Sequence, residues 1–253
     1  MLSIDLSNRR AVVTGGSRGV GRETARLLAK AGADVGIGYA SRGKDADAVV
    51  DQLRSLGVKA WAEQGDLSSA AAAQRLMRRA EEEFGGLDIF VGNAGIWPPD
   101  CVQVQEMDPG QWKRTLAANL DSLFYTTRAA ARIISDGGRM VMVGSTAGQR
   151  GEAGHADYAA TKGAMISFVK SVAVELAARQ ITVNCVAPGW IDTEMAAIPY
   201  AEGGRERIEA TIPVGRVAAV EDVASPIVFL CSDLARHITG EVLNVNGGAV
   251  LCG

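Results

Sequence analysis

Seven short apolar runs alternate with longer amphipathic stretches from one end of the chain to the other, and this rhythm constrains the fold more than any other feature. The runs lie at 11–13, 34–39, 58–63, 87–92, 139–144, 182–187 and 241–245. Between them, apolar residues recur every three or four positions near 20–30, 44–56, 69–84, 109–135, 157–179 and 220–232, as amphipathic helices require. Strands joined through helices run parallel, and strands lacking a polar face are covered on both sides. The expected architecture is therefore one doubly wound α/β domain spanning 1–253, with a seven-stranded, mostly parallel sheet and helices on both faces. One long stretch, 190–217, has no clear period and carries Gly203-Gly204 and Arg205-Glu206-Arg207. A segment of that length in a compact domain reads as a lid over the substrate.

Glycine supplies 30 of the 253 residues, against a usual share of about 7%, so many close backbone approaches are implied. The most informative of them follow the first strand, in Thr14-Gly15-Gly16-Ser17-Arg18-Gly19-Val20-Gly21, which opens directly into a helix. Glycines there allow a tight turn and let the backbone approach a pyrophosphate at the positive end of the helix, which makes the domain Rossmann-type. Glycine turns between strand and helix also serve simple packing, so this turn alone is a weak signal. Its position, in the first βα unit, strengthens it.

The spacing TGxxxGxG resembles the fingerprint of the short-chain dehydrogenase/reductase family, and other segments follow in that family's order. Asp66-Leu67 follows the third strand, where relatives contact adenine, and Asn93-Ala94-Gly95 follows the fourth, beside the adenosine ribose. Asn119 sits in the helix expected over 109–135, Ser145 ends the fifth strand, and Tyr158-Ala159-Ala160-Thr161-Lys162 opens the next helix. Pro188-Gly189 follows the sixth strand, and Ile191 and Thr193 would by resemblance hold a nicotinamide carboxamide. Among subfamilies the look is nearest the 3-oxoacyl-acyl-carrier-protein reductases and related carbonyl reductases, through the glycine turn and the ending Thr239-Gly240-Glu241-Val242-Leu243-Asn244-Val245-Asn246-Gly247-Gly248. One departure is Val174 before Glu175, where carrier-protein reductases often have arginine, which leaves the docking surface for a carrier protein incomplete even with Arg132 nearby.

Tyr158 and Lys162 are four apart on a helix and share a face. A cation beside a phenol favours phenolate, so Lys162 is expected to draw Tyr158 down from about 10 toward a useful range for proton transfer. Ser145 offers a hydroxyl to a carbonyl oxygen, and Asn119, by resemblance, holds a water that relays protons to Lys162. Singly, such residues are most often a surface pair, a turn cap and a core amide; together at family spacing they read as catalytic. Asp157 is expected to cap the helix. The substrate pocket is read as Trp97, Thr146, Gln149, Arg150, His155, Trp190 and Met195, with Ile198 and Tyr200 beside them.

The cofactor reading rests on the end of the second strand. NAD-binding folds usually carry an acid there, and this chain has Tyr39. Ser41 and Arg42 follow, and Arg18 lies in the glycine turn, so two guanidiniums and a hydroxyl are expected to meet a 2′-phosphate. The resulting expectation is an NADP(H)-dependent reductase of ketones or thioester-linked 3-oxoacyl groups, with Tyr158 and Lys162 also reaching the cofactor. The alternatives are an NAD-linked dehydrogenase of a sugar, polyol or other secondary alcohol, and a nonenzymatic dinucleotide binder. Intact Asn119, Ser145, Tyr158 and Lys162 argue against the last.

Charge excludes other classes. With 26 Lys and Arg against 29 Asp and Glu, and no basic cluster, nucleic acid is not an expected partner. No apolar run is long enough for a membrane span and no signal region opens the chain, so a cytoplasmic location is expected. Cys101, Cys185, Cys231 and Cys252 lack metal-ligand spacing and are expected as reduced thiols, with no metal site. By resemblance the helices at 109–135 and 157–179 pack against symmetry mates and the tail 249–252 is buried at a second interface, giving a homotetramer.

Overall fold

The computed structural model describes residues 3–251. Its sheet has seven parallel strands, β1 (Arg10–Thr14), β2 (Asp34–Tyr39), β3 (Ala60–Gln64), β4 (Leu87–Gly92), β5 (Ile134–Val143), β6 (Thr182–Pro188) and β7 (Val242–Val245), in the order β3-β2-β1-β4-β5-β6-β7. Each strand alternates its side chains between two cores. Ala11, Val13, Ile89, Val91, Val141 and Val143 enter one core, which is closed by α1 (Gly19–Lys30), α2 (Gly43–Ser55) and α10 (Val220–Leu230). Val12, Phe90, Met140 and Met142 enter the other, closed by α3 (Ala70–Phe84), α5 (Ser122–Ile133) and α7 (Ala156–Leu176). Burial on both faces explains why the strands read as continuous apolar runs. The chain order reverses between β1 and β4, and the cleft opens at the strands' C-terminal ends there.

Three elements depart from the sequence expectation. The helix expected over 109–135 is α4 (Pro109–Leu116), a π-helical turn over Ala117–Asp121, and α5. It also stops at Ile133, because β5 begins at Ile134, five residues earlier than expected, with its register against β4 shifting between Leu87 and Ile89. The aperiodic stretch 190–217 is ordered, carrying a 3-10 turn at Glu194–Ala196, α8 (Ala197–Tyr200) and α9 (Gly204–Glu209). A short helix, α6 (Thr146–Arg150), follows β5.

Asp157, expected to cap α7, is fully buried and works chiefly as a tether. Its Oδ2 accepts from Thr115 Oγ1 at 2.7 Å and Gln111 Nε2 at 3.2 Å, joining α4 to α7, while Oδ1 accepts from the Tyr158 N–H at 2.9 Å. Cys185 and Cys231 are buried free thiols and Cys101 is an exposed one; Cys252 lies outside the described residues. In the tail, Val250 is buried and Leu251 is exposed.

Between β2 and β3, Gly36 lies opposite Trp61 in register, and a Cβ on Gly36 would overlap the indole ring. Trp61 is itself pinned by the Arg79 guanidinium, 5.3 Å from its ring centroid, and packs on Phe84 at 5.5 Å. Overpacking at such a site costs about 1–3 kcal/mol. Gly36→Ala is therefore expected to lower the unfolding free energy from urea titration by that amount, with a lower midpoint and a changed Trp61 emission in the folded baseline; an unchanged midpoint would show that the ring has room to yield.

Candidate active site

The turn from β1 into α1 is built so that backbone lines the cleft. Gly15 (φ +66°) and Gly19 (φ +55°) take left-handed conformations that a side chain disfavours. A Cβ on Gly15 would also press on Asn93 Nδ2 at 2.9 Å, whereas one on Gly19 would stand in the cleft, with Thr193 Cγ2 at 3.6 Å its one near neighbour. No side chain caps α1, so the N–H groups of its first turn are not taken by a capping oxygen. This is a cradle shaped and polarised for an anion such as a pyrophosphate. Gly21 contributes differently: it does not line the cleft but packs under the turn, where a Cβ would meet Gly15 O and Asn93 Nδ2.

One cavity of about 730 Å³ runs from this turn to the end of β5. It brings together Ser17, Arg18, Val20, Tyr39, Ser41, Arg42, Asp66, Leu67, Asn93, Ala94 and Gly95 with Pro188, Gly189, Ile191 and Thr193, all singled out from the sequence. Ser145, Tyr158 and Lys162 open into the same space, as do Trp97, Thr146, Arg150, Trp190 and Met195. Gln149 and His155 do not line it, which corrects their reading as pocket residues. Gln149 Nε2 donates instead to Asn244 Oδ1 at 2.7 Å. His155 is buried at the entry to α7, its ring stacked on Trp97 with centroids 4.5 Å apart, so it backs the wall that Trp97 presents. Ile198 and Tyr200 also lie off the cavity; Tyr200 donates from its hydroxyl to Ile191 O at 2.9 Å.

Asn119 is buried in the π-turn, behind the cavity wall. Its Oδ1 accepts from the Ile96 N–H at 2.7 Å, and its Nδ2 donates to Ile96 O at 2.9 Å and Thr161 Oγ1 at 3.3 Å. A Cβ on Gly95 would lie 3.1 Å from Asn119 Oδ1 and 3.8 Å from Lys162 Nζ, so Asn119, Gly95 and Lys162 form one packed cluster.

Lys162 is buried and donates from Nζ to Val143 O at 2.7 Å, with Nζ 5.7 Å from the Tyr158 ring centroid. Burial pulls its pKa down to about 8, against the opposing pull of Cys185. Burial pushes the Tyr158 phenol up to about 12; a hydrogen bond with Ser145 works against this and the charge of Glu152 adds to it. The expected drop in the phenol is thus reversed. The Lys162 ammonium donates to the Val143 carbonyl, and desolvation of the buried phenol outweighs the Ser145 hydrogen bond.

Two acids near the site were not read from the sequence. Glu152 lines the cavity, and Glu194 receives Arg18 Nη1 and Arg42 Nη2 on its carboxylate, each at 2.8 Å. No local pattern signals Glu194, because 176 residues separate it from Arg18.

A buried cation is a stability cost that varies with pH. Lys162 releases its proton near pH 8 in the folded protein and near 10.5 unfolded, so the unfolded state binds the extra proton between those values. Stability conferred through this group therefore rises with pH across that window. Lys162→Met is expected to be more stable than the parent at pH 7 by a few kcal/mol, with the gap closing from pH 8 toward 10.5 in urea titrations; a constant gap would place the cost elsewhere.

A family model described as enoyl-(acyl carrier protein) reductase matches residues 15–250. The 3-oxoacyl-[acyl-carrier-protein] reductase FabG of Escherichia coli (strain K12) is 38% identical over 247 residues, covering 97% of this chain and 98% of that protein. The enzyme of the same description from Aquifex aeolicus (strain VF5) is 38% identical over 251 residues, covering 98% and 99%. Among solved structures, a short-chain dehydrogenase/reductase described as glucose/ribitol dehydrogenase from Brucella melitensis superimposes with a TM-score of 0.92 at 34% identity, covering 99% and 100% of the two chains. A short-chain dehydrogenase from Burkholderia cenocepacia J2315 in complex with NADP gives 0.91 at 37% identity, covering 96% and 98%. With the glycine turn, the parallel sheet and the relatives in agreement over nearly the whole length, this chain belongs to the short-chain dehydrogenase/reductase family and is an oxidoreductase.

Proposed function

We propose that the chain is an NADP(H)-dependent reductase of ketones or 3-oxoacyl thioesters. The observation that carries this reading is that one cleft joins a carbonyl-directed cluster, Ser145, Tyr158 and Lys162, to two arginines, Arg18 and Arg42, more than a hundred residues upstream of it. The backbone cradle at Gly15 and Gly19 fits the pyrophosphate of a dinucleotide, Asp66 and Leu67 its adenine, and Ile191 and Thr193 its carboxamide. The relative complexed with NADP and the carrier-protein reductases support the same cofactor and substrate class.

When bound, the nicotinamide supplies the hydride that a carbonyl carbon accepts. The chain's own residues handle the oxygen. Ser145 donates a hydrogen bond to it and orients it, and Tyr158 gives it a proton. A phenol raised to about 12 is fully protonated at neutral pH and is therefore set as a donor, the form that reduction needs. Lys162, lowered to about 8, is the stronger acid and restores the proton to Tyr158. Asn119 packs beside Lys162 and, as the resemblance implies, would hold the water that links Lys162 to solvent. Trp97, Trp190 and Met195 give the substrate end an apolar wall, with Thr146 and Arg150 its polar contacts.

Carrier-protein docking is a weaker part of the resemblance. Val174 is 79% exposed where the relatives' arginine pattern would put a charge, so free or coenzyme-A-linked ketones are proposed as substrates at least as good as carrier-protein thioesters. The exposed Phe124 on α5, Val174 on α7 and Leu251 in the tail are apolar surfaces that self-association into a homotetramer would cover. Among the described residues no helix is long and apolar enough to cross a membrane, and the proposed setting is the cytoplasm.

The test is consumption of NADPH and NADH with a panel of ketones, including matched acyl chains on coenzyme A and on carrier protein. Higher kcat/KM with NADPH is expected; equal efficiency with NADH would favour an NAD-linked alcohol dehydrogenase instead. Tyr158→Phe should lower kcat by about a hundred- to ten-thousandfold while the Kd for NADPH stays unchanged, because it removes the proton and leaves the cradle intact. Lys162→Ala should impair both. Near-normal turnover in the phenylalanine variant would remove Tyr158 from its role.

A further inference from the structure

We infer that Glu194 occupies the anion subsite of the nucleotide end, so that a cofactor's 2′-phosphate must displace this carboxylate, and that Glu194 thereby sets how strongly the enzyme prefers a phosphorylated dinucleotide. The inference rests on the NADP(H) reading above and adds a residue and a competition to it. Arg18, from the glycine turn, and Arg42, from the start of α2, both close on the Glu194 carboxylate: Arg18 Nη1 to Oε2 at 2.8 Å, Arg42 Nη2 to Oε2 at 2.8 Å and Arg42 Nη1 to Oε1 at 3.3 Å. Two guanidiniums converging on one carboxylate present the donor geometry that a phosphate monoester would use. All three residues line the cleft. The nucleotide end therefore already satisfies its cations with an internal anion.

The segment carrying Glu194 is the one that follows Thr193, and it reaches the glycine turn directly, since Thr193 Cγ2 comes within 3.6 Å of where a Gly19 Cβ would stand. Asp192, two residues before Glu194, is held separately by Arg205 at 2.9 Å. A second acid near the arginines, Asp45, pairs only with Arg42 and at 3.4 Å, on the same helix. Glu194 is thus the carboxylate that bridges the two arginines, and its removal frees both. A dinucleotide with a bare 2′-hydroxyl need not break the bridge, whereas one with a 2′-phosphate must exchange it for its own bonds.

Neutralising Glu194 should then favour the phosphorylated ligand selectively. Exposed ion pairs are individually weak, so the gain from two is about fivefold. The experiment measures Kd by calorimetry for NADPH, NADH, adenosine 2′,5′-bisphosphate and 5′-AMP with the parent, Glu194→Gln and Asp192→Asn. Expected is an approximately fivefold tighter Kd for NADPH and for adenosine 2′,5′-bisphosphate in Glu194→Gln, with NADH and 5′-AMP unchanged and Asp192→Asn like the parent. If the parent prefers NADPH and Glu194→Gln leaves its Kd unchanged or weaker, the competition is overturned while the cofactor reading stands. Equal tightening in Asp192→Asn would also overturn it, since loosening of the segment would then be the cause. If the parent binds NADH and 5′-AMP as tightly as their phosphorylated counterparts, the cofactor reading itself fails and the inference falls with it.

Discussion

The active cleft depends on how β1 is held to β4 at the point where the strand order reverses. Thr14 Oγ1 accepts from the N–H groups of Asn93 and Ala94, each at 2.9 Å, and Asn93 Nδ2 donates to Thr14 O at 2.9 Å and Gly15 O at 3.3 Å. These bonds begin where the ladder between the two strands ends, and they use side chains to continue it. The glycine turn is packed on the result: a side chain at Gly15 or Gly21 would strike the Asn93 amide. At the opposite end of the same strand pair, Arg10 grips Asp88 with Nε at 2.7 Å and Nη2 at 2.9 Å. The strand pair that carries the nucleotide turn is therefore clamped at both ends, which leaves the geometry of the turn little freedom to drift.

Much of this was legible in the sequence because it is local. Strand alternation, the glycine turn, and the four-residue spacing of Tyr158 and Lys162 each fit within one element, and the strand order places their ends together. What escaped was of two kinds. The π-turn over Ala117–Asp121 inserts one residue's worth of rotation into a helix, which a 3.6-residue pattern absorbs without a visible break. Ser135 falls in the helix expected over 109–135, and Asp136, Gly137 and Gly138 lie between it and the strand expected from 139, yet all four belong to β5 where its register against β4 shifts. The other misses were positions in depth: Gln149 and His155 sit on the right elements but behind the wall, and no spacing distinguishes the two sides of a wall. Glu194 meets Arg18 and Arg42 only after the whole sheet is assembled.

The π-turn has a structural consequence beyond its own helix. By shifting the helix phase between α4 and α5, it lets Gln111 and Thr115 on α4 reach Asp157, while Asn119 on the turn itself reaches Ile96 and Thr161. Asp157 and Thr161 flank Tyr158 on α7, and Thr161 Oγ1 donates to Tyr158 O at 2.7 Å. The tyrosine is thus positioned by a neighbouring helix through two buried polar contacts, one on either side of it in sequence. In a buried setting such contacts are costly to lose, because the stranded groups keep their desolvation penalty.

In the proposed mechanism, burial also decides the direction of proton movement. In water a lysine holds its proton somewhat more tightly than a tyrosine does, by a fraction of a pH unit. Here desolvation penalises the charged form of each group, raising the phenol to about 12 and lowering the ammonium to about 8, so that at neutral pH both groups still hold a proton but the ammonium is the one more easily given up. The gap between them means that a phenolate formed by proton donation would be refilled from Lys162 downhill. The Val143 carbonyl, at 2.7 Å from Nζ, keeps the ammonium in place without adding a formal charge that would push Lys162 back toward ordinary basicity. An acid in that position would have tied the proton to the lysine; a backbone carbonyl leaves it available for transfer.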